Sequence, residues 1–211
     1  WLTSHVSRLM FTGIVQELGT VARLERAKGL VRLAIQAPNT ALRVQRVESV
    51  AVHGVCLSVV DVRPHTLIFE VIPETLRLTT LGALRAGSRV HLEPSLSVSD
   101  RLNGHILFGH VDGLGTIVRR RRRPGELVLD IRVPTALRRF LVSKGPVAVD
   151  GVSLTVGEAP AASTFSIHLI PETLRLTTVG AKQVGDRVNL ELDHFAKLVH
   201  QFLRFRNHKE R

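Results

Sequence analysis

Apolar and polar positions alternate along most of the chain. Val31, Leu33 and Ile35 are spaced by single residues, and so are Leu127, Leu129, Ile131 and Val133, the period of strands with one buried face. Pro38 and Pro134 stop these two strands, and a short helix-like turn follows each. Glycines punctuate the sequence at intervals of about 8 to 12 residues, a pattern that predicts a small antiparallel barrel or sandwich. Only the tail changes period. In DHFAKLVHQFLRFRNHKER, Phe195, Leu198, Val199, Phe202 and Leu203 fall at i, i+3, i+4, i+7 and i+8, one face of a helix. Asp193 or its neighbour suits the helix start, and the basic end suits the helix dipole. Such a face packs either on its own barrel or against another subunit; two complete barrels leave nothing for it to close, which points to oligomerisation.

The alternating pattern occurs twice. FTGIVQELGTV aligns with FGHVDGLGTI, so Gly13 and Gly109 differ by 96; Pro38 and Pro134 also differ by 96, Val50 and Val147 by 97, and Pro73 and Pro171 by 98. The octapeptide PETLRLTT recurs unchanged at Pro73 to Thr80 and at Pro171 to Thr178. The slow drift in spacing implies small loop insertions in a complete duplication whose period is too long for a solenoid, so each copy closes its own core. The expected organisation is an extension over 1–9 with Met10 as the natural start, one barrel over 10–106, a second over 107–193, and a helix over 194–211. The boundary falls near Ser95 to Leu107.

Composition narrows the function classes. The chain has 211 residues with 44% hydrophobic and 22% charged, which suits a soluble protein with real cores. A single cysteine, Cys56, excludes an internal disulfide and any multi-cysteine metal site, and fits a reducing cytoplasm. No apolar run approaches the ~20 residues needed to span a bilayer, and WLTSHVSRL does not read as a signal peptide. The net charge of +11 and the run Arg119 to Arg123 raise nucleic acid as a partner. Pro124 and Gly125 place that run at an exposed hairpin end, however, and aromatics for base stacking are only 4% with no tyrosine, so nucleic-acid binding is not expected.

MFTGIV, GVCLSV, PETLRLTTLG, DRLNGHILFGHVDG, KGPVAVDGVSLTV and the second IPETLRLTT, in this order, resemble riboflavin synthase of the alpha-chain type, over Met10 to about Asp193. The resemblance implies an all-β fold of two similar six-stranded Greek-key antiparallel barrels plus a C-terminal α-helix, assembled as a homotrimer in the cytoplasm. It implies a dismutation in which two molecules of 6,7-dimethyl-8-ribityllumazine exchange a four-carbon unit, giving riboflavin and 5-amino-6-(ribitylamino)uracil. No metal and no separate cofactor are expected, and lumazine synthase is a candidate partner. One lumazine would occupy an N-terminal barrel and the other the C-terminal barrel of a neighbouring subunit.

A lumazine carries no phosphate and presents a heterocycle edge and a polyol, which call for backbone groups and small hydroxyls. Both copies hold such a set: Cys56, Leu57 and Ser58 with Glu70, Val71, Ile72, Pro73, Glu74 and Thr75, against Ser153, Leu154 and Thr155 with Ile170, Pro171, Glu172, Thr173, Leu174 and Arg175. By resemblance, Gly109, His110 and Val111 and the matching Gly13, Ile14 and Val15 complete the pockets. The chemistry removes a proton from the acidic methyl group of one lumazine and adds a nucleophile to the other. Because Cys56 and Ser153 occupy equivalent positions, Ser153 or a water it positions is the expected nucleophile. Cys56, His110 and Ser49 would assist proton transfer, and Lys144 would neutralise developing charge. Asp150 and Asp193 match further polar residues of the family's site.

Each residue also has a plainer reading. Cys56 suits a small core position, His110, Lys144 and Asp150 suit turns or solvent, and Glu74 and Glu172 with Thr75 and Thr173 suit helix starts after proline. The family's pattern is broken at His53, Ser58, His91 and Phe108, all in or beside the first site, whereas Lys144, Ser153, Thr155 and Asp193 are intact. That imbalance keeps a non-catalytic lumazine or flavin carrier of the same family as the alternative.

Overall fold

A computed structural model describes residues 10–27, 29–157 and 163–209, so the extension expected at 1–9 lies outside the described residues. Strands β1 (Glu17–Ala27), β2 (Leu30–Gln36), β3 (Ser49–Val52), β4 (Val55–Arg63), β5 (Thr66–Val71) and β6 (Arg89–Pro94) close a barrel in the order β1-β2-β5-β4-β3-β6. Strands β7 (Gly113–Arg123), β8 (Glu126–Arg132), β9 (Pro146–Val149), β10 (Val152–Thr155), β11 (Thr164–Leu169) and β12 (Arg187–Leu192) repeat that Greek-key order as a six-stranded sheet. In the first copy β4 and β5 pair from Val59↔Phe69 to Arg63↔Thr66, whereas in the second the β10–β11 seam is held by the single bridge Val156↔Ile167. The duplicated all-β fold expected from the alternation is therefore present.

The inward residues of each copy form a separate core. Val21, Leu33, Ile35, Leu67 and Phe69 belong to the first, and Ile117, Leu129, Ile131, Phe165 and Ile167 to the second. Register shows a compensation between the two cores. Phe69 lies opposite Leu33, but Ile167 lies opposite Leu129, and the second ring, Phe165, sits opposite Ile131 where the first copy has Leu67 opposite Ile35. One phenyl ring fills each barrel, one layer apart, conserving volume as close packing demands. Register shifts at Val21/Arg23 and Ile117/Arg119 mark equivalent bulges, which bend β1 and β7 enough to close so small a sheet.

Each PETLRLTT copy forms the same short helix, α1 (Pro73–Leu78) and α2 (Pro171–Leu176), with proline in the first turn and an extended isoleucine before it. Neither helix has a side-chain cap; Glu74 and Glu172 lie in the first turn and pair with Arg77 and Arg175 at 2.6 and 2.5 Å. The five arginines end the β7–β8 hairpin, with Arg123 opposite Glu126. The terminal helix α3 (His194–Lys209) begins on Asp193, whose carboxylate accepts from the N–H groups of Phe195 and Ala196. Lys197 fixes α3 to the second barrel by donating to Asp112 at 2.9 Å. Its predicted apolar face is left open, with Phe195 60% and Phe202 66% exposed. Among the described residues no helix is long and apolar enough to cross a membrane.

Candidate active site

The segments preceding β1 and β7 do not stay with their own barrels. Phe11 and Leu107 pair across a local two-fold, each N–H donating to the other's carbonyl at 2.8 and 3.1 Å. Beyond this pair the segments cross over: Ser153 N–H donates to the Gly13 carbonyl at 2.8 Å, and Cys56 N–H donates to the Gly109 carbonyl at 2.9 Å. Val15 packs against the second core and Val111 against the first. Gly13 and Gly109 have φ of 77° and 70°, and a Cβ on either would meet the facing strand at 2.6 Å. Each barrel's outer lip therefore comes from the other copy.

Two buried carboxylates hold these lips. Glu93 accepts from the Thr12 N–H (2.6 Å), the Thr12 hydroxyl (2.8 Å) and the Gly13 N–H (2.9 Å); Glu191 accepts from the N–H groups of Phe108 (2.7 Å) and Gly109 (2.9 Å). Burial raises both carboxyl pKa values, that of Glu191 to about 7.

Period two then exposes the reactive side chains. In β4, Val55, Leu57 and Val59 point inward, leaving Cys56 and Ser58 on the outer face beneath the Gly109–Val111 lip. Ser153 and Thr155 occupy the same places in β10. Antiparallel register carries the end of β5 back alongside the start of β4, so Ile72 to Thr75 follow beside Cys56; Ile170 to Arg175 follow beside Ser153 by the same geometry. Ile72 and Ile170 are half exposed, at 52% and 57%, although each directly follows a strand whose last residue is buried.

The two sites differ chemically. The Ser153 hydroxyl lies 2.7 Å from Nδ1 of His105, whose backbone N–H is fixed on the Thr12 carbonyl. Burial lowers the His105 pKa, opposed by the charge of Asp193, so the ring is neutral near pH 7 and Nδ1 can accept the hydroxyl proton. Gly104 permits this approach, because a Cβ there would stand 3.0 Å from the Ser153 Cβ. Burial instead raises the thiol pKa of Cys56; Ser49 lies near enough to pull it partly down, though its buried hydroxyl is outside hydrogen-bond geometry. Cys56 is thus a protonated thiol, a poor spontaneous nucleophile.

The remaining predicted residues are more dispersed. Lys144 is exposed in a left-handed turn (φ 62°), and Val47 (φ 75°) is its counterpart. His110 is exposed at the lip, with its ring stacked 6.2 Å from Phe108, whose other neighbour is the His194 ring at 4.9 Å. Glu70 faces Arg32 on the barrel wall. Asp150 is completely buried and sits in the barrel–barrel junction.

That junction also contains two of the residues that break the family pattern. His91 N–H donates to His53 Nδ1 (3.0 Å), as Asn189 N–H donates to Asp150 Oδ1 (2.7 Å). The His91 ring nitrogen Nδ1 donates to the Asp150 carbonyl (2.8 Å), as the Asn189 amide donates to the His53 carbonyl (2.8 Å). Thr178 N–H donates to His91 Nε2 and Thr80 N–H to Asn189 Oδ1, both at 2.8 Å. Two histidines thus reproduce the hydrogen bonds that aspartate and asparagine make in the other copy. Both must be neutral to do so; burial drives His53 down to about 3 and lowers His91.

His105, Thr12, Glu93 and Glu191 were not among the residues expected at the site. The glutamates end the matching stretches RVHLE and RVNLE, a usable signal; His105 lies in the linker, where alternation says nothing. Among the described residues no cluster of three or more His, Cys, Asp or Glu is placed to hold a metal ion.

A lumazine binding domain matches the chain twice, over residues 12–95 and 108–193. Fold and site therefore define a duplicated lumazine-binding barrel protein. The chain is 45% identical over 198 residues to the riboflavin synthase of Mycobacterium tuberculosis (strain ATCC 25618 / H37Rv), covering 92% of this chain and 98% of that one. It is 37% identical over 194 residues to the riboflavin synthase of Bacillus subtilis (strain 168), covering 92% and 90%. The chain belongs to the riboflavin synthase family. Among solved structures, LumP complexed with 6,7-dimethyl-8-(1'-D-ribityl) lumazine superimposes with a TM-score of 0.77 at 25% identity, over 87% of this chain and 99% of that one. LumP complexed with riboflavin gives 0.80 at 24% identity over 87% and 100%, a likeness of fold.

Proposed function

We propose that the protein is a riboflavin synthase, converting two molecules of 6,7-dimethyl-8-ribityllumazine into riboflavin and 5-amino-6-(ribitylamino)uracil by transfer of a four-carbon unit. The observation that carries this reading is the Ser153–His105 pair at 2.7 Å in one copy, facing a lone thiol at the equivalent place in the other. His105 takes the proton of Ser153, or of a water held by it, as the oxygen adds to the acceptor lumazine. The donor lumazine lies against Cys56, Ser58 and the Gly109–Val111 lip, where Cys56, Ser49 and His110 assist removal of its methyl proton. Lys144 and Asp193 border the acceptor side, and Asp150 acts through the junction.

The two sites of one chain lie apart. From Cys56 the order across the molecule is β4, the 107–109 segment, the 11–13 segment, then β10, which separates the sites by three strand spacings, roughly 14 Å. Bond formation needs atoms at about 3 to 3.5 Å. That spacing supports a reaction between the first-copy site of one chain and the second-copy site of another. The open apolar face of α3 offers the means of assembly, consistent with a homotrimer. The lone cysteine fits a cytoplasmic location.

Purified protein incubated with the lumazine should form riboflavin, followed by absorbance, with two ligands bound per chain; one ligand and no product would instead indicate a carrier. Ser153→Ala and Cys56→Ala chains, each strongly impaired alone, should regain activity when unfolded and refolded together, because mixed assemblies contain sites with both residues intact. Failure of mixing to restore turnover would place the reaction within one chain.

A further inference from the structure

At the end of the local two-fold remote from Cys56 and Ser153, beyond the histidine junction, the barrels enclose a groove of about 920 Å³. Its walls are the turns Thr80–Ala83 and Val179–Ala181, and His53 lies at its floor. Five cations line it. Arg77 is held by Glu74 and Lys182 by Asp150, but Arg85, Arg89 and Arg187 form no ion pair among the described residues. One carboxylate, Asp186, faces them, and one of its oxygens already accepts from the Gln183 N–H. Arg89 and Arg187 begin β6 and β12 at positions 98 apart, so the two-fold sets them on opposite sides of the groove.

We propose that this groove binds a small phosphate anion with two charged ends, of the pyrophosphate type. Guanidinium forks match phosphate oxygens bidentately, and a pair related by two-fold symmetry suits a ligand whose ends are alike. The volume falls in the range of small-ligand sites, roughly 300 to 1,000 Å³. Thr80, Ser88 and Thr178 supply hydroxyls, and the only ring in the lining is that of buried His53, so there is no platform on which successive bases of a nucleic acid could stack. The site lies behind the junction and needs none of the groups assigned to lumazine chemistry.

Calorimetric titration of the intact protein with pyrophosphate in 0.15 M salt tests this. Saturable binding should weaken at least tenfold in Arg89→Ala/Arg187→Ala and less in Arg89→Lys/Arg187→Lys, and should be unchanged in Arg119→Ala/Arg122→Ala at the exposed hairpin. Melting curves confirm that each variant is folded, and the lysine pair serves if the alanine pair is not. The proposal is overturned by absence of saturable binding, by loss confined to the hairpin variant, or by a short single-stranded oligonucleotide binding more tightly than pyrophosphate.

Discussion

The two barrels share a strand order, a lip borrowed from the other copy, and a glutamate that holds that lip. Two of their differences are of opposite kinds. At the junction, His53 and His91 stand where the second copy has Asp150 and Asn189, yet the bonds from the backbone N–H groups of His91 and Thr178 and from the His91 ring to the Asp150 carbonyl each have a counterpart on the other side. At the sites, no histidine is bonded to the Cys56 thiol among the described residues, and burial and the nearby Glu191 raise its pKa, whereas Ser153 is bonded to His105. Divergence that preserves a hydrogen-bond pattern is structural repair; divergence that changes which atoms can give or take a proton is where two identical substrates acquire different roles.

Erasing that second difference should produce the largest effect. Ser153→Ala removes the hydroxyl that His105 serves and should slow riboflavin formation by about a hundredfold or more; Cys56→Ser, which makes the copies alike, should slow it by at least tenfold. Both variants should still bind two lumazines per chain. Unchanged steady-state rates would remove these residues from the chemistry.

The junction can be broken by acid. His53 is held near 3 against an ordinary 6.5, so below pH 6.5 the unfolded chain takes up protons that the folded one refuses, and stability falls as pH drops. Between pH 6.5 and 4.5 the loss from His53 alone is about 2–3 kcal/mol, with His91 adding in the same direction and Asp150, Lys182 and Asn189 packed around the pair. Thermal melts of His53→Asn/His91→Asn should show a shallower acid limb than the parent; equal slopes would assign the acid sensitivity elsewhere.

A smaller effect separates local strain from contact between barrels. Gly54 and Gly29 have nearly equal φ, 78° and 79°, but a Cβ on Gly54 would meet the Gly151 nitrogen at 2.5 Å and one on Gly29 would meet nothing. Gly29→Ala should cost about 1–2 kcal/mol of strain in denaturant unfolding, and Gly54→Ala at least that much again. Smallest of all, Glu172→Gln should leave the melting temperature unchanged, since its pair with Arg175 is solvent-exposed. A drop in lumazine affinity in that variant would place Glu172 on the ligand.

Both barrels and the terminal helix were legible from the sequence because burial on one face imposes a period of two or 3.6 on neighbouring residues, and duplication prints that record twice. The same alternation set Cys56, Ser58, Ser153 and Thr155 on outward faces. Phe69 and Phe165 mark a limit of the alternation: the duplication aligns them with Ile167 and Leu67, but that the exchange conserves volume within each core is visible only where the strands face one another. The sequence by itself determined the duplication, the fold and the family. The tertiary structure decided which segment closes which barrel, that His105 reaches Ser153 across 48 residues, and that His91 meets Thr178 across 87. Those contacts leave no periodic trace, because they depend on where separate strands end in space rather than on which face of a strand is buried.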